Sequence, residues 1–298
     1  MEEEKSKKAK FKLWDTKVDR RVLKYVFVVL LLTASLIIIK DEVVWQFGDF
    51  DDSYSETETE AESESDCNVM GLELHGDIVT YINHEDFDEN GIATVDETAS
   101  ENIIYQIATA ESDPEIKAII LEVDSFGGSP VAGEEIANAL RRASKPTVAL
   151  IRTAGASSAY LSAVGTDRIF ASKNSDVGSI GVTMSYLDYS QYNQDQGISY
   201  VTLSSGKYKD AGDPDRKLTA EEKEIFLRDV KIIHNNFIDL VAEYRNLDVE
   251  QVRKLADGST MLGEMALANG LIDEIGSYSE VSSYLDELIG EEINICWP

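Results

Sequence analysis

Residues 116–151 read IKAIILEVDSFGGSPVAGEEIANALRRASKPTVALI, and this stretch decides the fold class. Its first part, 116–123, is a mostly apolar run rich in isoleucine, ending at Asp124 and a Gly127-Gly128 pair. That length and composition suit a strand buried on both faces. Residues 131–143 then carry helical periodicity, and 147–151 return to a β-branched and apolar run. Strand, helix and strand in succession, each bounded by turn residues, predict a β-α-β unit with parallel pairing.

The same texture extends outward on both sides. Upstream, 69–74 and 78–82 read as two strands separated by the turn His75-Gly76-Asp77. Residues 99–110 read as a helix with Ile103, Ile104, Ile107 and Ala108 on one face. Downstream, 157–164 is a short helix and 168–171 a strand. Two extended segments follow at 181–187 and 200–203. A long helix covers 219–245, capped by Thr219 with Glu222 three residues on. Short helices close the chain. The whole predicts an α/β domain over residues 68–298, with no internal repeat.

The 67 residues before it differ in kind. Residues 1–24 carry nine Lys or Arg against five acids. The apolar run 25–39 follows; Val22 and Leu23 lengthen it on one side and Val43, Val44 and Trp45 on the other, toward the ~20 residues that cross a bilayer. No small-x-small cleavage pattern directly follows the run, which argues against a removed signal peptide. Residues 22–45 are therefore expected to be a single transmembrane anchor in contact with lipid. The positive-inside rule makes 1–21 a cytoplasmic tail and puts the remainder outside the cytoplasm at the cell membrane. Residues 46–67 are expected to be a disordered acidic linker, since 41–66 hold eleven acids and no base.

Composition excludes several function classes. A net charge of −29, with no basic cluster beyond residue 24, argues against nucleic acid as a partner. Hydrophobic residues make up 43% of the chain, enough for a large core. His75, His84 and His234 are scattered, without a ligand partner at helical or hairpin spacing, and neither cysteine lies in a zinc pattern, so neither metal nor cofactor is expected. Cys67 and Cys296 lie near the two ends of the folded domain; whether they form a bridge is left open.

Three segments could carry chemistry. Asp124 to Ser129 joins a strand to a helix through paired glycines, a geometry suited to an oxyanion hole or simply to a turn. Gly155 to Tyr160 places Ser157 at a helix start, where a serine is ordinarily an N-cap. Ser204 to Asp210 contains Lys207 and Lys209. A lysine replaces histidine as the base for a serine once its ordinary pKa of about 10.4 is lowered by burial. No Gly-x-Ser-x-Gly elbow is present, and no histidine stands out as a base.

Taken in order, Asp124-Ser125-Phe126-Gly127-Gly128, Ala156-Ser157-Ser158-Ala159-Tyr160, Thr166-Asp167-Arg168-Ile169-Phe170-Ala171, Gly178-Ser179-Ile180-Gly181-Val182 and Gly206-Lys207-Tyr208-Lys209-Asp210 resemble the signal peptide peptidase A family. The later run from Asp257-Gly258 to Gly276 does so as well. The likeness covers about residues 70–280. It implies a fold of the Clp protease and crotonase kind and a serine endopeptidase with a Ser-Lys dyad. Ser157 corresponds to the nucleophile, lying ten residues before the Asp of the family's Asp-Lys-Ile motif, here Asp167-Arg168-Ile169. Lys209 corresponds to the general base, Gly128 to an oxyanion-hole amide, and Ser179 to the residue that orients the lysine. The implied substrates are remnant signal peptides or other apolar peptides, with no cofactor. Single-domain members form rings in which neighbours complete each other's dyad, so a homo-oligomer is expected. Two departures stand out. Ser158-Ala159 replaces a family Gly-Gly, and Phe126 replaces a family proline. The first motivates an alternative, a noncatalytic membrane-bound scaffold that keeps the peptide groove. A hydratase of the crotonase branch is disfavoured by the anchor, because acyl-CoA is cytoplasmic.

Overall fold

The computed structural model describes residues 67–82 and 96–297. The expected tail 1–21, the anchor 22–45 and the linker up to residue 66 lie outside the described residues, as does His84. Among the described residues no helix is long and apolar enough to cross a membrane.

The chain-order elements are β1 (Val69–Val79), β2 (Glu97–Ala99), α1 (Ser100–Ser112), β3 (Ala118–Gly128), α2 (Pro130–Arg142), β4 (Thr147–Ala156), α3 (Ser158–Ala163), β5 (Arg168–Ala171), β6 (Asp176–Gly178), α4 (Ser190–Asp195), α5 (Ala220–Arg245), α6 (Val249–Leu255), β7 (Thr260–Leu262), α7 (Gly263–Ala268), β8 (Glu274–Ile275), α8 (Tyr278–Ile289) and β9 (Ile295–Cys296). The sheet runs β2-β1-β3-β4-β5-β8, with β6 also beside β4 and β9 beside β1. Every pairing is parallel except β6 with β7.

The apolar run at 116–123 explains the layering. Side chains alternate across a strand, so β3 divides its apolar residues between the two faces of the sheet. Ile119, Leu121 and Val123 join a large core with Ile103 and Ile107 of α1, Ile136 and Leu140 of α2, and Phe237 and Val241 of α5. Ala118 and Ile120 face the other way, onto Val148, Leu150, Phe170 and the α8 residues Val281 and Leu285. Both faces are covered, as a parallel sheet requires. The start of α5 is set as expected: the Thr219 hydroxyl accepts from Glu222 N–H (3.2 Å) while the Glu222 carboxylate accepts from Thr219 N–H (2.9 Å).

Three expectations are corrected. The two strands read at 69–74 and 78–82 are one strand, β1, whose pairing with β3 shifts register between His75 and Asp77. Gly76 there has φ +62°, so it is a bulge rather than a turn. The extended segments at 181–187 and 200–203 pair with no strand of the described sheet. Gly127 and Gly128 end β3 itself instead of following it.

Cys67 and Cys296 form a disulfide across a sequence separation of 229. It ties the entry of β1 to β9, where Met70 pairs with Cys296 and both Asn68 and Val69 N–H donate to the Asn294 carbonyl.

Candidate active site

The site forms at the carboxyl ends of adjacent parallel strands, where open α/β sheets leave room for ligands. Gly128 ends β3 opposite Ile78 of β1, Ser157 follows β4, and Ser179 follows β6, whose Gly178 pairs with Ala156. Glycine is required at these strand ends by crowding. A Cβ on Gly127 would lie 2.7 Å from the Ser157 Cβ, and one on Gly128 would lie 2.2 Å from the Ile78 carbonyl oxygen. Both glycines have positive φ, +114° and +156°.

Ser157 is held in a backbone conformation rare for a side-chain-bearing residue, φ 54° and ψ −127°. Two hydrogen bonds fix it. Its N–H donates to the Gly178 carbonyl (2.8 Å), and its carbonyl accepts from Leu161 N–H (3.0 Å). Its hydroxyl makes no capping bond to α3, so the ordinary role of a serine at a helix start does not apply. The next residues turn inward. Tyr160 is fully buried, its hydroxyl donates to the Leu271 carbonyl (2.8 Å), and burial pushes its titration up. Ala159 lies in the core, and Ser158 packs against Gly133 of α2, where an added Cβ would come 2.8 Å from the Ser158 Cβ. The larger Ser158-Ala159 pair is thus accommodated by a glycine on the facing helix.

Ser157, Gly128 and Ser179 line one cavity of about 570 Å³. Its walls are mainly apolar: Phe126, Pro130 and Val131 from the β3–α2 junction, Leu161 from α3, Val182, and Ile233, Phe237 and Leu240 from α5. Phe126 is exposed at the rim. Glu134 is the one ionisable residue in the lining, so among the described residues neither a histidine nor a lysine reaches this space. The Ser179 hydroxyl donates to the Gly258 carbonyl (3.0 Å), and among the described residues it hydrogen-bonds to no lysine.

Lys209 stands apart from these three residues. It lies on an exposed turn, its N–H donating to the Gly206 carbonyl (3.1 Å), and it is absent from the cavity lining. Lys207 pairs with Glu221 of α5. Among the described residues no group of three or more His, Cys, Asp or Glu is placed to hold a metal ion.

The sequence model of peptidase family S49 matches residues 139–291, about half of the chain. The chain belongs to peptidase family S49. A Clp protease model matches residues 90–177, in keeping with a Clp protease-like α/β fold. The Clp match contains the glycine pair and Ser157 but stops before Ser179 and Lys209, which only the S49 match contains. A putative protease of Methanocaldococcus jannaschii is 37% identical to this S49 chain over 180 residues, covering 60% of it and 58% of the relative. A putative signal peptide peptidase SppA of Enterococcus faecium is 34% identical over 198 residues, covering 65% and 57%. A putative protease of Synechocystis is 31% identical over 190 residues, covering 63% and 68%. The S49 chain thus spans under two thirds of the length of the first two relatives.

Proposed function

We propose that this S49 chain is a membrane-anchored serine endopeptidase that cleaves apolar peptides, remnant signal peptides among them, with Ser157 as nucleophile and Lys209 of a second copy as general base. One observation carries the reading. Ser157 is held in a strained conformation with its hydroxyl unbonded among the described residues, facing a mainly apolar cavity in whose lining no described residue is basic. Backbone strain of this kind persists where the surroundings over-determine it, as functional sites do.

The base must come from elsewhere, and the loop that bears Lys209 is suited to being covered by a neighbour. Val201 and Leu203 of that loop are 77% and 98% exposed, and Leu187, ahead of α4, is 64% exposed. Apolar exposure on this scale marks an interaction surface. A homo-oligomer would bury it, desolvate Lys209 and deliver the amine to a neighbour's Ser157.

In the reaction, neutral Lys209 takes the Ser157 proton as Oγ attacks the substrate carbonyl. The Gly128 amide stabilises the resulting oxyanion. The lysine then protonates the leaving amine, and water hydrolyses the acyl-enzyme by the same route. The apolar walls favour apolar substrate side chains.

The anchor at 22–45 would hold the domain to the cell membrane, with residues 1–21 in the cytoplasm and the catalytic domain outside. The Cys67–Cys296 disulfide supports that side, because such bonds persist in oxidising compartments. Protease added to intact cells should cut within residues 48–66; protection until lysis would refute the topology.

The dyad is tested with a serine-directed fluorophosphonate and an apolar peptide. Ser157→Ala and Lys209→Ala should each abolish labelling and hydrolysis while circular dichroism stays that of wild type. Lys207→Ala and Ser158→Ala should be mild. Mixing the two inactive variants under conditions of subunit exchange should restore activity, since some sites then pair an intact serine with an intact lysine. Activity retained in either single variant removes that residue from the mechanism.

A further inference from the structure

We infer that Arg216 is a positioning residue for Lys209: it holds the Asp210 carboxylate away, so that the acid following Lys209 in the chain does not pair with the Lys209 ammonium. This rests on the reading of Lys209 as the base.

A lysine acts as a base only when neutral, and a carboxylate beside it favours the charged form. The Lys209 loop is crowded with acids: Asp210, Asp213, Asp215, Glu221 and Glu222 all lie within thirteen residues of it. In an extended backbone neighbouring side chains point to opposite faces, which would separate Lys209 from Asp210. The segment is instead a series of turns, with Lys209, Ala211 and Asp213 N–H donating to the carbonyls three residues earlier, so backbone geometry alone does not keep them apart.

Each of the five carboxylates is engaged by another group. Arg216 Nε donates to Asp210 Oδ2 (3.1 Å), and its Nη1 and Nη2 donate to the two Glu222 oxygens (3.0 and 2.6 Å). Arg216 Nη2 also donates to the Asp210 carbonyl, fixing the backbone next to Lys209. The Tyr200 hydroxyl lies 2.8 Å from Asp210 Oδ1 and 3.0 Å from Asp213 Oδ2, and its one proton serves one of them at a time. Asp213 also accepts from Asp215 N–H, Asp215 accepts from Asn193, and Glu221 pairs with Lys207. The Lys209 ammonium makes no ion pair or hydrogen bond among the described residues. Consistent with this bonding, Tyr200 and Arg216 hold the Asp210 carboxyl below the usual range, and Asp210 pushes the Tyr200 phenol up to about 12.

The test is the rate of fluorophosphonate labelling of Ser157 in the full chain from pH 6 to 10. Arg216→Ala should move the alkaline limb upward by about one pH unit, slowing labelling about tenfold at neutral pH and leaving the high-pH plateau in place. Asp210→Asn in that background should return the limb to its wild-type position, an effect a merely structural arginine would not show. A uniform fall without movement of the limb, or failure of Asp210→Asn to restore it, overturns the proposal. Tyr200→Phe removes the other group on Asp210 and leaves the arginine intact. It should move the limb the same way, and no movement overturns the proposal even where Arg216→Ala does not fold. Lys209→Ala separates the two readings. Wild-type labelling in that variant defeats the base assignment, whereas a dead Lys209→Ala beside an unshifted Arg216→Ala defeats only the role of the arginine.

Discussion

Replacing Ser157 with glycine should make the protein more stable. Ser157 occupies φ 54° and ψ −127°, which a Cβ disfavours and glycine adopts without strain. Such strain costs about 1–3 kcal/mol. Glycine gives back about 0.4–1 kcal/mol through the greater freedom of the unfolded chain. Among the described residues the hydroxyl makes no hydrogen bond, and it does not cap α3, so its loss subtracts nothing. The bonds from Ser157 N–H to Gly178 and from Leu161 N–H to the Ser157 carbonyl are backbone bonds and survive the change. The net expectation for Ser157→Gly is a gain of roughly 0.5–2 kcal/mol, or about 1–8 °C in melting temperature for a domain of this size. Ser157→Ala keeps the Cβ and the strain, so it should fall within about 0.5 kcal/mol of wild type. Both variants should be catalytically inert. Urea unfolding at matched protein concentration, with the slope checked for constancy, measures the three free energies. A serine that capped α3 would instead lose about 1 kcal/mol on going to alanine. That loss, or a glycine variant no more stable than the alanine one, would refute the claim that Ser157 is strained and unbonded.

Reduction of Cys67–Cys296 releases a loop spanning 229 residues of sequence separation; loop entropy sets a ceiling of about 5 kcal/mol on the stabilisation, so the melting temperature should fall clearly in reductant, and the Asn68 and Val69 amides should exchange faster as β9 frays. The acid side is governed in part by Glu222, which Arg216 and the Thr219 N–H hold down to about 2 from an ordinary 4.5. A depressed carboxyl contributes stability that is present above the ordinary value and lost as pH falls toward 2, so Glu222→Gln should flatten the loss of stability between pH 4.5 and 2 in acid titrations. The 40 acids against 17 bases from residue 67 onward repel one another at low ionic strength, so the melting temperature should rise in molar salt; a flat response would leave the acidity to solubility alone.

The central β-α-β unit was legible because its signals are local. The alternating faces of 116–123, the Gly-Gly ending and the period of 131–143 each reflect a neighbour in the same unit. The break read at His75-Gly76-Asp77 was a bulge, because a glycine with positive φ marks a bulge and a turn alike and only the register with β3 distinguishes them. The disulfide was not legible either. Cys67 and Cys296 are brought together by β9 closing beside β1, a pairing of two residues on each side that leaves almost no sequence pattern.

The same contrast separates the two halves of the proposed dyad. Ser157 is recorded in its surroundings. Gly127 lacks a side chain because a Cβ there would meet the serine, and Gly133 because one would meet Ser158. Lys209 leaves no such imprint. The carboxylates around it are satisfied by Arg216, Tyr200, Lys207 and Asn193 of α4, while Val201, Leu203 and Lys209 are left exposed. A purely solvated loop would place its charges outward and its leucines inward. This one leaves Val201 and Leu203 outward beside the exposed Lys209, which is the arrangement a covering surface needs if it is to bury apolar area and dry a single amine together. On the proposed mechanism, the physical environment that makes Lys209 a base would be supplied by a surface that covers the loop, and no pattern within the loop can spell it out.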